Sequence, residues 1–204
     1  YEKGWLHGIE VVNTREYYPR VHRWCLDKDL ALIGNSDIHP PISFGYDFGA
    51  GEHRSMTLVF AKERSAEGIK EALFAGRSAA YCEKQLMGTP KLLTELFHAS
   101  VSISREPAHL RGDGSMRLWI HNQSEIPFTF TAAGMGPLLS GPRHLELTPN
   151  ATRFFTVRSL RTDTQGGKTV MLKYTVENLL SGPNQPLEVE IPVEVVFSAA
   201  PEEE

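Results

Sequence analysis

The sequence has little of what would mark several classes of protein. Of its 204 residues only two are cysteines, Cys25 and Cys82, so we predict neither a disulfide framework nor a cysteine zinc site. No apolar run approaches the roughly 20 residues that a membrane span requires. The net charge of −4 is spread along the chain without a basic stripe. We therefore expect neither nucleic acid nor a membrane as a partner.

The first residues, YEKGWLHGIEVVN, contain no initiator methionine and no signal-like segment. This beginning indicates a piece of a longer protein, so these residues do not determine the compartment. The length is sufficient for one large domain or two small ones.

Residues 1–95 alternate between apolar strands and helices, a pattern typical of parallel βαβ units. In the first predicted helix, within 17–29, the apolar face contains Val21, Trp24 and Cys25, and His22 points to solvent. The second helix starts after Ser65, its N-cap, and stops at Gly76. We therefore predict an α/β part over 1–95.

Beyond residue 95 the apolar period changes to two, as in the series from Leu187 to Val195. Six or seven short strands separated by turn signals predict an antiparallel Ig-like β-sandwich over 96–204. The stretch QGGKT, 165–169, resembles a phosphate loop. It lacks the first glycine, because residue 162 is Thr162, and a strand rather than a helix follows. We interpret it as a hairpin turn.

The stretch ALIGNSDIHPP, 31–41, places Asp37 and His39 just after a predicted buried strand. Loops at the carboxyl ends of parallel strands carry the chemistry of α/β proteins. Residues i and i+2 of an extended segment share a face, and a carboxylate with an imidazole suits Zn, Mn or Fe. An Asp–His hydrogen bond that organises the turn before Pro40 explains the same pair equally well.

Other polar residues give weaker indications. His53 and Arg54 precede a predicted strand and are either an anion site or ordinary loop residues. Ser36 and His39 could suggest a nucleophile and its base, but no nucleophile elbow flanks Ser36. The sequence therefore leaves the catalytic residues unknown.

Residues 8–81, with GIEVVN, GNSDIH and EALFAGRSAAY, resemble the closing part of PHP domains, the polymerase and histidinol phosphatase superfamily. The later segments resemble the β-sandwich attached to bacterial PHP phosphodiesterases. The resemblance implies a partial PHP-type (β/α) barrel followed by the sandwich, and a periplasmic or secreted location.

The resemblance also implies divalent transition metals, Zn, Mn or Fe, that activate water to hydrolyse a small phosphate ester. It places metal ligands at Asp37 and His39, with Glu10 and Asn13 beside them. The family's earlier ligand motifs are absent from these residues. We therefore expect an incomplete ligand set and an inactive fragment of a metal-dependent phosphoesterase.

Two alternatives remain beside this interpretation, and the first belongs to a different class of function. In the first, the sandwich is a non-catalytic binding module attached to a remnant α/β scaffold. In the second, the chain is a polymerase-associated PHP domain, which the lack of a basic surface disfavours. The oligomeric state is unknown from the sequence.

Overall fold

A computed structural model describes residues 1–134 and 136–200. Its contacts divide the chain into two compact units: unit 1 contains residues 1–93 and 178–186, and unit 2 contains the remainder. The division of the chain into domains over 1–95 and 96–204 stays a prediction. No described helix is long and apolar enough to cross a membrane.

The described residues form three α-helices, α1 Pro19–Asp27, α2 Ala66–Phe74 and α3 Pro90–Ser100. The strands that begin in unit 1 are β1 Gly8–Asn13, β2 Glu16–Tyr17, β3 Ala31–Asn35, β4 Met56–Val59, β5 Ser78–Cys82 and β6 Gln85–Met87. The strands that begin in unit 2 are β7 Val101–Ile103, β8 Ala108–Arg111, β9 Ser115–Asn122, β10 Phe128–Gly134, β11 Leu139–Ser140, β12 His144–Leu147, β13 Ala151–Ser159 and β14 Gly166–Gly182. The last strand is β15 Gln185–Ser198, and the turn between β14 and β15 belongs to unit 1.

Strands β1 and β3 of unit 1 are parallel and joined through α1, as the strand–helix pattern predicts. Strands β4 and β5 are antiparallel, so the predicted parallel unit around α2 is wrong. The two ends of the connecting segment 60–77 are adjacent, because the N–H of Phe60 donates to the carbonyl of Arg77 at 3.0 Å. The strand after α2 therefore runs back along β4. The described strands of unit 1 form open sheets and no closed barrel.

The helices bury faces that periodicity predicted only in part. Ser65 caps α2 as predicted, since its hydroxyl accepts from the N–H of Gly68 at 2.9 Å. In α1 the buried residues are His22 and Cys25, whereas Trp24 is 56% exposed. The predictions of a solvated His22 and a buried Trp24 were therefore wrong.

The burial of His22 follows from its hydrogen bonds. Its Nε2 lies 3.2 Å from the carbonyl of Gly88, and its Nδ1 lies 2.7 Å from the hydroxyl of Tyr17. A carbonyl only accepts, so Nε2 carries the proton and Nδ1 accepts from the Tyr17 O–H. Burial is the main cause that lowers the pKa of His22 below its ordinary value of 6.5.

Unit 2 is a sandwich of two sheets, with strand orders β11-β13-β9-β7 and β12-β10-β14-β15-β8. The pairings of β9, β10 and β13 are antiparallel, and β8 is parallel to β15. Alternation along the strands sends Phe128 and Phe130 inward, where both contact the ring of Phe97. Burial raises the pKa of Tyr174, beside Phe130, to about 12.

The stretch QGGKT is not the predicted hairpin turn. Gly166 begins β14, and the preceding strand β13 belongs to the opposite sheet, so this connection crosses between sheets. A local turn signal does not reveal whether the next strand pairs with the previous one, because pairing depends on the rest of the sandwich.

Candidate functional site

The carboxyl ends of β1 and β3 meet at one edge, where Asn13 lies opposite Asn35 in the parallel register. The carboxylate of Glu10 joins the two ends. Its Oε1 accepts from the side-chain amide of Asn35 at 2.7 Å, and its Oε2 accepts from that of Asn13 at 3.2 Å. Both oxygens of Glu10 are thus already hydrogen-bonded. In this arrangement Glu10 positions the strand ends.

Asp37 and His39 follow β3 directly, and their side chains approach each other. The Nε2 of His39 lies 3.5 Å from the Oδ1 of Asp37, with the side chains 87% and 57% exposed. Asp37 has a φ of +49°, so this segment is not extended. The two side chains therefore meet in an irregular loop, and not through the shared face of a strand that the i, i+2 spacing suggested.

An open groove of about 530 Å³ lies at this pair, lined by residues 34–39 and 54–57. Arg54 contributes a positive charge to the same groove. Carboxylate oxygen and imidazole nitrogen are suitable donors for a transition metal, but a catalytic site commonly requires three protein ligands. Over residues 1–134 and 136–200, no group of three His, Cys, Asp or Glu side chains could hold a metal ion. The described donors are therefore of a fitting type but too few.

The other histidines of unit 1 lie elsewhere. The His7 ring stacks on Phe74 at 4.3 Å, next to the amino end of β1 and away from Asp37. His53 lines a second cavity of about 440 Å³, beside Tyr81 and Lys84. Its ring centroid lies 6.4 Å from that of Tyr81. In this arrangement the described structure does not bring His7 or His53 to the Asp37–His39 pair.

Sequence reasoning missed the residues that hold the ends of β1 and β3 against β4. The Thr57 hydroxyl accepts from the N–H of Gly34 and donates to its carbonyl, each at 2.9 Å. The Ser55 hydroxyl donates to the carbonyl of Thr14, just beyond β1. No local signal marks these residues, because their partners are 23 and 41 positions away.

Gly34 is required for this close approach. A Cβ at this position would lie 2.9 Å from the carbonyl oxygen of Met56 and 3.0 Å from the Cβ of Ala80. We expect Gly34→Ala to lower the free energy of unfolding by about 1–3 kcal/mol, the usual cost of overpacking. Urea denaturation measures the change.

The matched control is Gly167→Ala, because a Cβ there would meet no atom within 4 Å. This variant should differ from the unchanged protein by less than about 0.5 kcal/mol. Equal effects of the two substitutions would show that the end of β3 is not closely packed.

Comparison with known proteins bears on both units. Residues 101–192 match the model of a family described as an Ig-like domain. This match confirms the Ig-like part of the predicted fold. A search of curated proteins found no match to the chain.

The chain is also similar to a solved structure from Bacteroides vulgatus, described as a two-domain protein containing a predicted PHP-like metal-dependent phosphoesterase. The two are 38% identical with a TM-score of 0.83, over 94% of this chain and 54% of that one. This chain therefore spans about half the length of that relative. The similarity is thus to part of a protein described as containing a predicted phosphoesterase, and residues 101–192 match an Ig-like domain.

Two further solved structures are far less similar. One is a protein of unknown function from Porphyromonas gingivalis, 16% identical with a TM-score of 0.35 over 48% of this chain and 47% of that one. The other belongs to a chaperone–tip adhesin complex of CFA/I fimbriae, 10% identical with a TM-score of 0.33 over 51% and 59%. At these scores neither carries an argument about this chain.

Proposed function

We propose that this chain is the closing part of a PHP-type metal-dependent phosphoesterase, and that unit 1 supplies one edge of its active site. The observation that carries the proposal is the Asp37–His39 pair, exposed in an open groove at the carboxyl end of β3. The similarity to the Bacteroides vulgatus protein supports the same reaction class.

In this proposal Asp37 and His39 are two ligands of a divalent transition metal, Zn, Mn or Fe. The proposal requires that the remaining donors, and the rest of a PHP-type barrel, come from a part of the protein other than these 204 residues. Such a metal would neutralise phosphate charge and lower the pKa of bound water. Arg54, in the same groove, would bind a phosphate oxygen of a small phosphate-ester substrate. Hydrolysis transfers the hydroxyl of water to phosphorus, and the departing alcohol takes the proton.

Metal content and turnover together test this proposal. We expect the full-length protein to hold metal by elemental analysis and to hydrolyse a chromogenic phosphodiester. The isolated 204-residue chain should hold much less than one metal per chain and show no turnover, because two ligands are fewer than a catalytic site requires. Stoichiometric metal in the isolated chain would contradict the assigned ligand set.

A second candidate is a non-catalytic binding module built on the sandwich. The match of residues 101–192 to an Ig-like domain favours it, since the matched residues include none of the candidate site. Full-length protein that contains neither metal nor phosphoesterase activity would favour this candidate over the first.

A further inference from the structure

The segment that follows the Asp37–His39 pair is unusually apolar for an exposed loop. Residues 40–51, PPISFGYDFGAG, contain one charged side chain, Asp47, and make two short 3-10 turns. Phe44 is 80% exposed and Phe48 is 50% exposed. Burying a phenylalanine side chain is favourable by about 1.5–3 kcal/mol. A partner that covers these two exposed rings would therefore gain binding free energy from their burial.

This loop is fixed at its base and not free of the site. Gly45, next to Phe44, lies beside Ile38: a Cβ added to Gly45 would lie 3.2 Å from the Ile38 Cδ1. Ile38 is the residue between the two proposed metal ligands. The turn that carries Phe44 therefore rests on the segment that carries Asp37 and His39.

Arg15, two residues beyond β1, also contacts this turn. Its Nη2 donates to the carbonyl of Gly45 at 3.3 Å, and its guanidinium lies 5.1 Å from the ring centroid of the buried Tyr46. Arg15 also pairs with Glu52 at 3.5 Å, and Glu52 accepts from the N–H of Asp47 at 3.0 Å. The base of the loop is thus tied to both strand ends that form the candidate site.

We propose that residues 40–51 form an apolar wall of this site, where Phe44 and Phe48 contact the organic group of the substrate. The inference rests on the proposed phosphoesterase function and names the substrate class: phosphate esters with an aromatic or other apolar group beside the ester bond. The phosphate lies in the groove with Asp37 and Arg54, and the apolar group lies against the loop. Continuity between loop and groove, through Gly45 and Ile38, favours the substrate as the partner of these rings.

The test compares two substrates that share one leaving group, p-nitrophenyl phenyl phosphate and p-nitrophenyl methyl phosphate. We expect the full-length protein to have the higher kcat/KM for the phenyl ester. The double variant Phe44→Ala/Phe48→Ala should reduce the ratio of the two kcat/KM values about tenfold, mainly by loss on the phenyl ester. Because the leaving group is the same, the change in the ratio reports contact with the second group.

Phe154→Ala is the matched control, since Phe154 is 62% exposed and lies on β13 of unit 2. It should leave the ratio unchanged. Hydrolysis with an unchanged ratio in the double variant would overturn this inference and leave the proposed function standing. A lower melting temperature of the double variant with an unchanged ratio would overturn it as well. It would show that another part of the full-length protein, and not the substrate, covers the two rings. No hydrolysis of either ester by the unchanged protein would contradict the proposed function and, with it, this inference.

Discussion

Asp37→Asn in the full-length protein is expected to reduce bound metal and phosphodiester turnover by at least tens of fold. The substitution replaces a charged oxygen donor by a neutral amide, and loss of a metal ligand or its immediate partner commonly has an effect of this size. The exposed carboxylate, 3.5 Å from His39, has no other described role that would explain such a loss. Elemental analysis and the rate of p-nitrophenol release measure the two effects.

The control for this prediction is Asp27→Asn, the same chemical change at the last residue of α1. Asp27 precedes the amino end of β3, whereas the groove lies at the carboxyl end of that strand. Metal content and turnover should stay within about twofold of the unchanged protein, as expected for a surface change away from the site. Asp37→Asn with full metal and full turnover would show that the pair only organises the turn before Pro40.

His22→Leu is expected to lower the free energy of unfolding by about 2–4 kcal/mol at pH 7. Leucine fills much of the space but leaves the Gly88 carbonyl and the Tyr17 hydroxyl without their described partner, at about 1–3 kcal/mol for each unsatisfied buried group. Urea denaturation followed by circular dichroism measures the change. His121→Gln is the control, because His121 is partly exposed and its imidazole lies within hydrogen-bond distance of the Thr152 hydroxyl, at 3.0 Å.

The same variant should change how stability depends on pH. The pKa of His22 is lower in the folded chain than its ordinary value of 6.5, so the unfolded chain binds more protons near that value. The contribution of His22 is therefore fully present above about pH 6.5 and is lost as the pH falls toward the folded-state pKa. The difference in unfolding free energy between the unchanged protein and His22→Leu should shrink from pH 7 to pH 5. A difference that stays constant over this range would show that His22 does not titrate between the two states.

Much of the architecture followed from local signals in the sequence. The change of apolar period near residue 95 predicted the sandwich, and the Ig-like match over 101–192 confirms it. Ser65 and Gly76 marked the ends of α2, because caps act over three or four residues. The sequence also predicted that Asp37 and His39 follow a strand, and β3 ends at Asn35. Their role as metal ligands stays a prediction.

Contacts between distant residues decided the rest. Periodicity placed His22 in solvent, but Gly88, 66 positions away, makes it a buried hydrogen-bonded residue. The direction of β5 depends on the meeting of Phe60 and Arg77, which the helix pattern between them does not encode. Helix caps and strand alternation depend on neighbours along the chain, so the sequence alone determined them. The pairing of Glu10 with Asn35, and the packing of Gly34 against Met56 and Ala80, required the chain to return to the same place, so only the tertiary structure decided them.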